Sequence, residues 1–159
     1  MKLKIFFIIL IIVVITFTLL IILKNKKDNT KELSNIKYLH FTYTTGYHMN
    51  AYVIYDIEIK DGKYVASIKP TDIPDEEKKE YVLETSTVKE IENKLNEYKI
   101  SSWNGFHKSD KYVLDGDSFS LSINYENNEN ISASGYMSWP DNYREVKDYL
   151  DSILGSLYQ

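Results

Sequence analysis

The sequence predicts an α+β protein: an N-terminal transmembrane helix followed by an antiparallel sheet of five to six strands, with two helices packed on one face. Three observations carry that reading. Residues 5–23 read IFFIILIIVVITFTLLIIL, in which only Thr16 and Thr18 interrupt the apolar side chains. Beyond them, runs of alternating apolar and polar residues recur with short breaks, the period-2 signature of half-buried strands. Two stretches, 87–99 and 140–155, instead space their apolar residues three and four apart, the stripe of a helix lying on a core.

The apolar run comes first. About 20 residues rising 1.5 Å each carry a helix across a hydrocarbon core of roughly 30 Å, so Ile5 to Leu23 is expected to sit in the lipid bilayer. No small-residue cleavage pattern separates it from Lys24-Asn25-Lys26-Lys27, and residues 1–27 therefore read as an uncleaved, single-pass signal anchor. Lys2 and Lys4 oppose Lys24, Lys26, Lys27 and Lys31 across the run, so the positive-inside rule leaves its direction open. The short basic N-terminus favours export, which places the domain outside the cytoplasm at the cell membrane. Residues 28–36 form a polar linker, and 37–159 have the length of one α+β domain.

Within that domain, Lys37 to Thr44 alternates Leu39, Phe41 and Tyr43 with Tyr38, His40 and Thr42, the aromatic and β-branched mix that strands favour. Strand two, 50–60, sets Tyr55, Ile57 and Ile59 against Asp56 and Glu58. Asp61-Gly62 follows, the strongest short hairpin signal because a type I′ turn needs positive φ at both central residues. Strands at 64–69 and 81–84 flank an acidic loop containing Glu76 and Glu77. Thr87 and Glu90 fit a capping box for a helix over 87–99 with Val88, Ile91, Leu95 and Tyr98 on one face. Residues 101–116 read as a long irregular connection, too apolar to be loose, with Trp103, Phe106, Tyr112, Val113 and Leu114. Strand 117–125 points Phe119, Leu121, Ile123 and Tyr125 one way and Ser118, Ser120, Ser122 and Asn124 the other. Strand 131–138 answers it with Ile131, Ala133, Gly135 and Met137 against Ser132, Ser134, Tyr136 and Ser138. The last helix, 140–155, opens on Pro140, favoured in a first turn, and carries Tyr143, Val146, Leu150, Ile153 and Leu157.

Charge narrows the partners. Of 19 basic residues five lie in 1–27, and the 14 that remain meet 23 acids, a net −9 for the rest of the chain. A domain of that sign with one arginine, Arg144, does not suit nucleic acid, which rewards clustered Lys and Arg. With no cysteine, disulfides, thiolate chemistry, cysteine-zinc clusters and N-terminal cysteine lipidation are excluded. Abundant isoleucine, lysine, asparagine and tyrosine match the style of an AT-rich bacterial genome.

Trp103-Asn104-Gly105-Phe106, Asp115-Gly116-Asp117-Ser118-Phe119, Ala133-Ser134-Gly135-Tyr136, Pro140 and Tyr143 form a loose pattern over about a third of the chain, Trp103 to Leu150. It resembles uncharacterised, often membrane-anchored or lipoprotein-like proteins of Gram-positive bacteria. The resemblance implies an exported bacterial setting and this order of elements. No activity is established for that family, so no functional residue is carried over.

Candidate chemistry is sparse. His40 and His48 flank the first strand turn, without a carboxylate at ligand spacing. His107 has no evident partner. Asp110, Asp115 and Asp117 around Gly116 offer oxygen ligands but depart from the calcium-loop spacing. Serine hydrolysis lacks a G-x-S-x-G turn, and the six glycines are scattered singly, leaving no phosphate loop. No metal and no cofactor are expected. What remains is a row on the last hairpin, Ser118, Ser120, Ser122, Ser132, Ser134, Tyr136 and Ser138. Strand alternation places them together as a flat hydroxyl-rich surface fit for an extended peptide or glycan. The reading is a non-enzymatic, membrane-tethered binding domain of the bacterial envelope, with a protein, peptide or wall component as partner. The alternatives are a small envelope enzyme using His40 or His48 with a carboxylate, or an inhibitor or immunity-type protein.

Overall fold

Strand β1 (Ile36–Thr44), the aromatic-rich run that opens the domain, becomes the central strand of a seven-stranded sheet. The computed structural model describes residues 35–46, 52–70, 74, 77–113 and 115–158. The apolar run 5–23, most of the linker and His48 lie outside them. Among the described residues no helix is long and apolar enough to cross a membrane.

Strands β2 (Tyr52–Lys60) and β3 (Lys63–Pro70) form the hairpin that Asp61-Gly62 announced, with φ of 50° and 74° at the two turn residues. That pair of positive angles matches the right-handed twist of the flanking strands. Strand β4 (Lys79–Leu83) adds antiparallel to β3 and forms one edge. Helix α1 (Thr85–Glu97) and a single 3-10 turn (Ile100–Trp103) lead to β5 (Phe106–Ser109) at the other edge. Strands β6 (Ser118–Tyr125) and β7 (Asn130–Tyr136), helix α2 (Tyr143–Ile153) and a 3-10 turn (Gly155–Tyr158) complete the order. The sheet reads β4-β3-β2-β1-β6-β7-β5.

Alternation sends Leu39, Phe41, Tyr55, Ile57, Ala66, Ile68, Leu121, Ile123 and Ala133 to one face, where all are buried. Val88, Ile91 and Leu95 of α1 and Val146 and Leu150 of α2 close over them in one cluster with Leu154. Both helices therefore cover the same face, and among the described residues no helix covers the other. The expected α+β architecture holds, as do the core faces of the strands except at Ile59 and Met137, expected to face the core but each 40% exposed. All described residues belong to one compact unit, Glu32–Gln159.

Several expectations are corrected. The sheet has seven strands and is mixed, because β5 pairs with β7 in parallel inside the stretch read as an irregular connection. Gly105 N–H donates to the Ser132 carbonyl at 3.0 Å and Asp110 N–H to that of Tyr136 at 2.9 Å, closing both ends of the short ladder. In the same stretch Trp103 is fully buried, while Tyr112 stands 97% exposed. Helix α1 starts at Thr85, and the amides of Thr87 and Val88 both donate to the Glu84 carbonyl, at 3.0 and 3.3 Å. Thr87 is therefore inside the first turn, and no side chain caps that end. Glu92, which is not among the residues Val88, Ile91, Leu95 and Tyr98 expected on the core face of this helix, is 3% exposed. Its carboxylate accepts the Ile36 amide and the Lys89 ammonium, which holds the start of β1 against α1. Pro140 precedes α2 instead of opening it, since the chain first turns through Asn142 at φ 62°. Finally β7 ends at Tyr136, and Met137 at φ 50° turns Ser138 out of the strand row.

Candidate functional site

The open face is best described by the rows that the register lays across it. One runs Lys69, Ile54, Thr42, Ser120, Ser134, His107. The next is Glu80, Ser67, Asp56, His40, Ser122, Ser132. A third joins Thr44 to Ser118 and Tyr136. Six of the seven residues expected to share this surface do so: Ser118, Ser120, Ser122, Ser132, Ser134 and Tyr136. Ser138 does not, for the reason given above. Sequence reasoning missed that Thr42 and Thr44 of β1 extend the field, and Thr44 Oγ1 lies 2.7 Å from Ser118 Oγ.

The face divides in two. Across β2, β3 and β4 it is charged, with Lys60 Nζ 2.9 Å from Glu58 and 2.7 Å from Glu80. Across β1, β6 and β7 it is small and hydroxylic. His40 stands at the seam, its Nδ1 2.7 Å from Asp56 Oδ1. A carboxylate only accepts, so His40 Nδ1 carries the proton and Nε2 faces away from the pair. The Tyr38 ring lies parallel to His40 at 6.5 Å, and burial followed by the Asp56 charge raises the Tyr38 phenol above its usual value. At the far edge His107 Nδ1 sits 2.9 Å from Ser134 Oγ. Both described histidines thus have partners that sequence spacing hid. Of the three aspartates around Gly116, Asp110 accepts the Tyr112 amide at 2.9 Å and Asp117 the Gly46 amide at 2.7 Å. No metal-competent group of three or more side chains occurs among the described residues.

A second feature lies on the helix-covered side, where the ends of β1 and β6 meet the start of α2. Phe41, Trp103, Phe106, Phe119 and Tyr143 meet in one aromatic cluster of tilted and edge-on rings, with Phe119 and Tyr143 4.9 Å apart. Trp139 lies nearly flat on Tyr143 at 4.6 Å and 26°, yet remains 38% exposed. It borders a cleft of about 600 Å³ whose other walls include Thr45, Asp117, Asn142, Arg144 and Lys147.

Two lining residues of the cleft, Tyr43 and Lys147, are held by one carboxylate. Asp151 accepts the Tyr55 hydroxyl at 2.8 Å, the Tyr43 hydroxyl at 3.1 Å and the Lys147 ammonium at 2.7 Å. The same ammonium lies 4.4 Å above the Tyr43 ring. Burial, then Asp151, drive the phenols of Tyr43 and Tyr55 upward. Burial works against the Lys147 charge, but the hydrogen bond to Asp151 wins and its pKa rises. These are charge-assisted bonds, the stronger class, so the last turn of α2 is pinned to β1 and β2. Comparison with known proteins finds no matching family model, and no curated protein matches the chain.

Proposed function

We propose that the chain is a membrane-tethered, extracytoplasmic, non-enzymatic binding domain of a bacterial envelope, which holds an extended peptide or glycan across its open sheet face. The observation that carries the reading is the contiguous field of Thr42, Thr44, Ser118, Ser120, Ser122, Ser134 and Tyr136 on three adjacent strands. Antiparallel neighbours place such side chains about 5 Å apart, so the field offers many weak, regularly spaced donors and acceptors. The anchor Ile5 to Leu23 and the acidic domain support the setting, as does the resemblance to exported Gram-positive proteins.

Two measurements test it. Protease added to intact cells should digest the domain without permeabilisation, and protection until the membrane is opened would sink the location. Full chain in nanodiscs should co-sediment with purified cell-wall sacculi or retain extended peptides. Ser120→Lys with Ser134→Lys, which crowds the field, should abolish that retention. Unchanged retention would sink the surface.

An enzyme remains the second reading because His40 pairs with Asp56 while Ser122 sits directly opposite on β6. The arrangement lines up an acid, a base and a hydroxyl on one face. Strands β1 and β6 are both interior to the sheet, so their amides serve the ladders and leave no paired N–H donors for an oxyanion. Ester hydrolysis by the full chain, lost in both His40→Ala and Asp56→Asn, would favour the enzyme.

A further inference from the structure

We propose that the cleft beside Trp139 binds a neutral oligosaccharide. The proposal goes beyond the sheet-face reading and rests on different residues. Sugars present two kinds of surface, an apolar face of C–H groups and a rim of hydroxyls, and a site for them needs a rigid flat apolar platform ringed by planar hydrogen-bonding groups. The cleft has both. Trp139 is backed by Tyr143 at 4.6 Å and by Phe119 at 5.7 Å, so the ring is held in place before any ligand arrives. Asp117, Asn142 and Arg144 line the same cleft, an acceptor, an amide and a guanidinium fork of the kinds that take two adjacent hydroxyls together.

Size and charge select the class. About 600 Å³ lies within the usual range of small-molecule sites, roughly 300–1,000 Å³. Asp117, Glu145 and Asp148 outnumber Arg144 and Lys147 around it, and the Lys147 ammonium is already bound to Asp151. A polyanion therefore meets net repulsion, whereas an uncharged sugar meets none. The Asp151 contacts hold the lining side chains of Tyr43 and Lys147 in place before any ligand arrives, which lowers the ordering cost of binding.

The chain supplies its own reporter. It has two tryptophans, and Trp103 is fully buried, so acrylamide quenching reads Trp139. Full-length protein in nanodiscs is titrated with the tetramer of N-acetylglucosamine and with maltotetraose, with calorimetry in parallel. The expected result is saturable protection of Trp139 from acrylamide by at least one of the two. Calorimetry should show affinity about tenfold weaker in Trp139→Ala, the size of one stacked aromatic contact. Arg144→Ala, an exposed change that leaves the platform intact, should also weaken binding. Ser120→Lys with Ser134→Lys should leave it unchanged, which separates this site from the sheet face. No protection by either sugar, or equal binding by wild type and both cleft variants, would overturn the proposal. So would saturation by polyglutamate in place of the sugars.

Discussion

The two faces of the one sheet are built from alternate residues of the same strands and obey different rules. On the helix-covered face Leu39, Phe41, Ile57, Leu121 and Ile123 are at most 1% exposed and meet α1 and α2 in one continuous cluster. On the open face their immediate neighbours Thr42, Ser120 and Ser122 are partly exposed. Close packing dictates the first set almost atom by atom. The fold uses part of the open face's hydroxyls, Thr44 with Ser118 at 2.7 Å and Ser134 with His107 at 2.9 Å, and a bound ligand is the proposed account of the remaining ones.

The difference is broken most severely by truncating the covered face. Phe41 is fully buried with its ring 5.9 Å from Tyr43 and 6.5 Å from Tyr143. Phe41→Ala should cost about 4 kcal/mol through lost burial and a cavity, read as a fall in the urea midpoint. A loss under about 1 kcal/mol would mean that the cluster closes over the gap and is not close-packed. Overfilling comes next. A Cβ on Gly135 would lie 2.0 Å from the Ser138 carbonyl oxygen and 2.5 Å from Phe119 Cε1. Backbone cannot give way as a side chain can, so Gly135→Ala should cost about 3 kcal/mol, at the upper end of overpacking. A wild-type melting temperature would refute the tight turn after β7.

The covered face was the legible one. Its apolar alternation exposed six of the seven strands and both helices, because burial writes itself into period and spacing. Strand β5 was hidden because only Phe106 of its four residues points partly inward, and parallel pairing leaves no hairpin turn to read. Glu92 misled because its partner, the Ile36 amide, is 56 residues away. The open face was legible as a set of residues but not as a site. His40 and Asp56 meet only through the β1–β2 register, and no two-residue turn between those strands fixes that register from sequence. The cleft draws Tyr43, Asp117 and the stretch from Trp139 to Asp148 from three separate parts of the chain, and no spacing rule connects them.

A milder perturbation reaches the covered face through pH. Burial raises the phenols of Tyr43, Tyr55, Tyr125 and Tyr143, the folded protein holding these protons more tightly than the unfolded chain. Unfolded tyrosine releases its proton near pH 10. Below that value both states are protonated and these groups leave stability flat. Above it the unfolded state binds fewer protons, so stability falls as pH rises. Lys147, raised by Asp151 in spite of its burial, acts in the same direction above the ordinary lysine value of about 10.4. Urea midpoints should therefore drop from pH 9 to pH 11, and Tyr55→Phe should make the drop shallower. A drop of the same steepness in that variant would remove Tyr55 from the account.

The smallest effect is expected on the open face itself. Ser120 stands between Thr42 and Ser134 in its row, directly behind the fully packed Leu121. A cross-strand hydroxyl pair contributes roughly 0.2–1 kcal/mol, and alanine keeps the Cβ while improving neither neighbour's packing. Ser120→Ala should therefore change stability by less than about 0.5 kcal/mol, the ordinary range of surface substitutions. The informative case is the double change with Ser134→Ala. If the hydroxyls belong to a ligand surface, stability holds while retention on wall material or peptide weakens. If instead the pair costs more than about 1.5 kcal/mol, the hydroxyls are structural, the two faces obey one rule after all, and the case for a ligand on the open sheet goes with them.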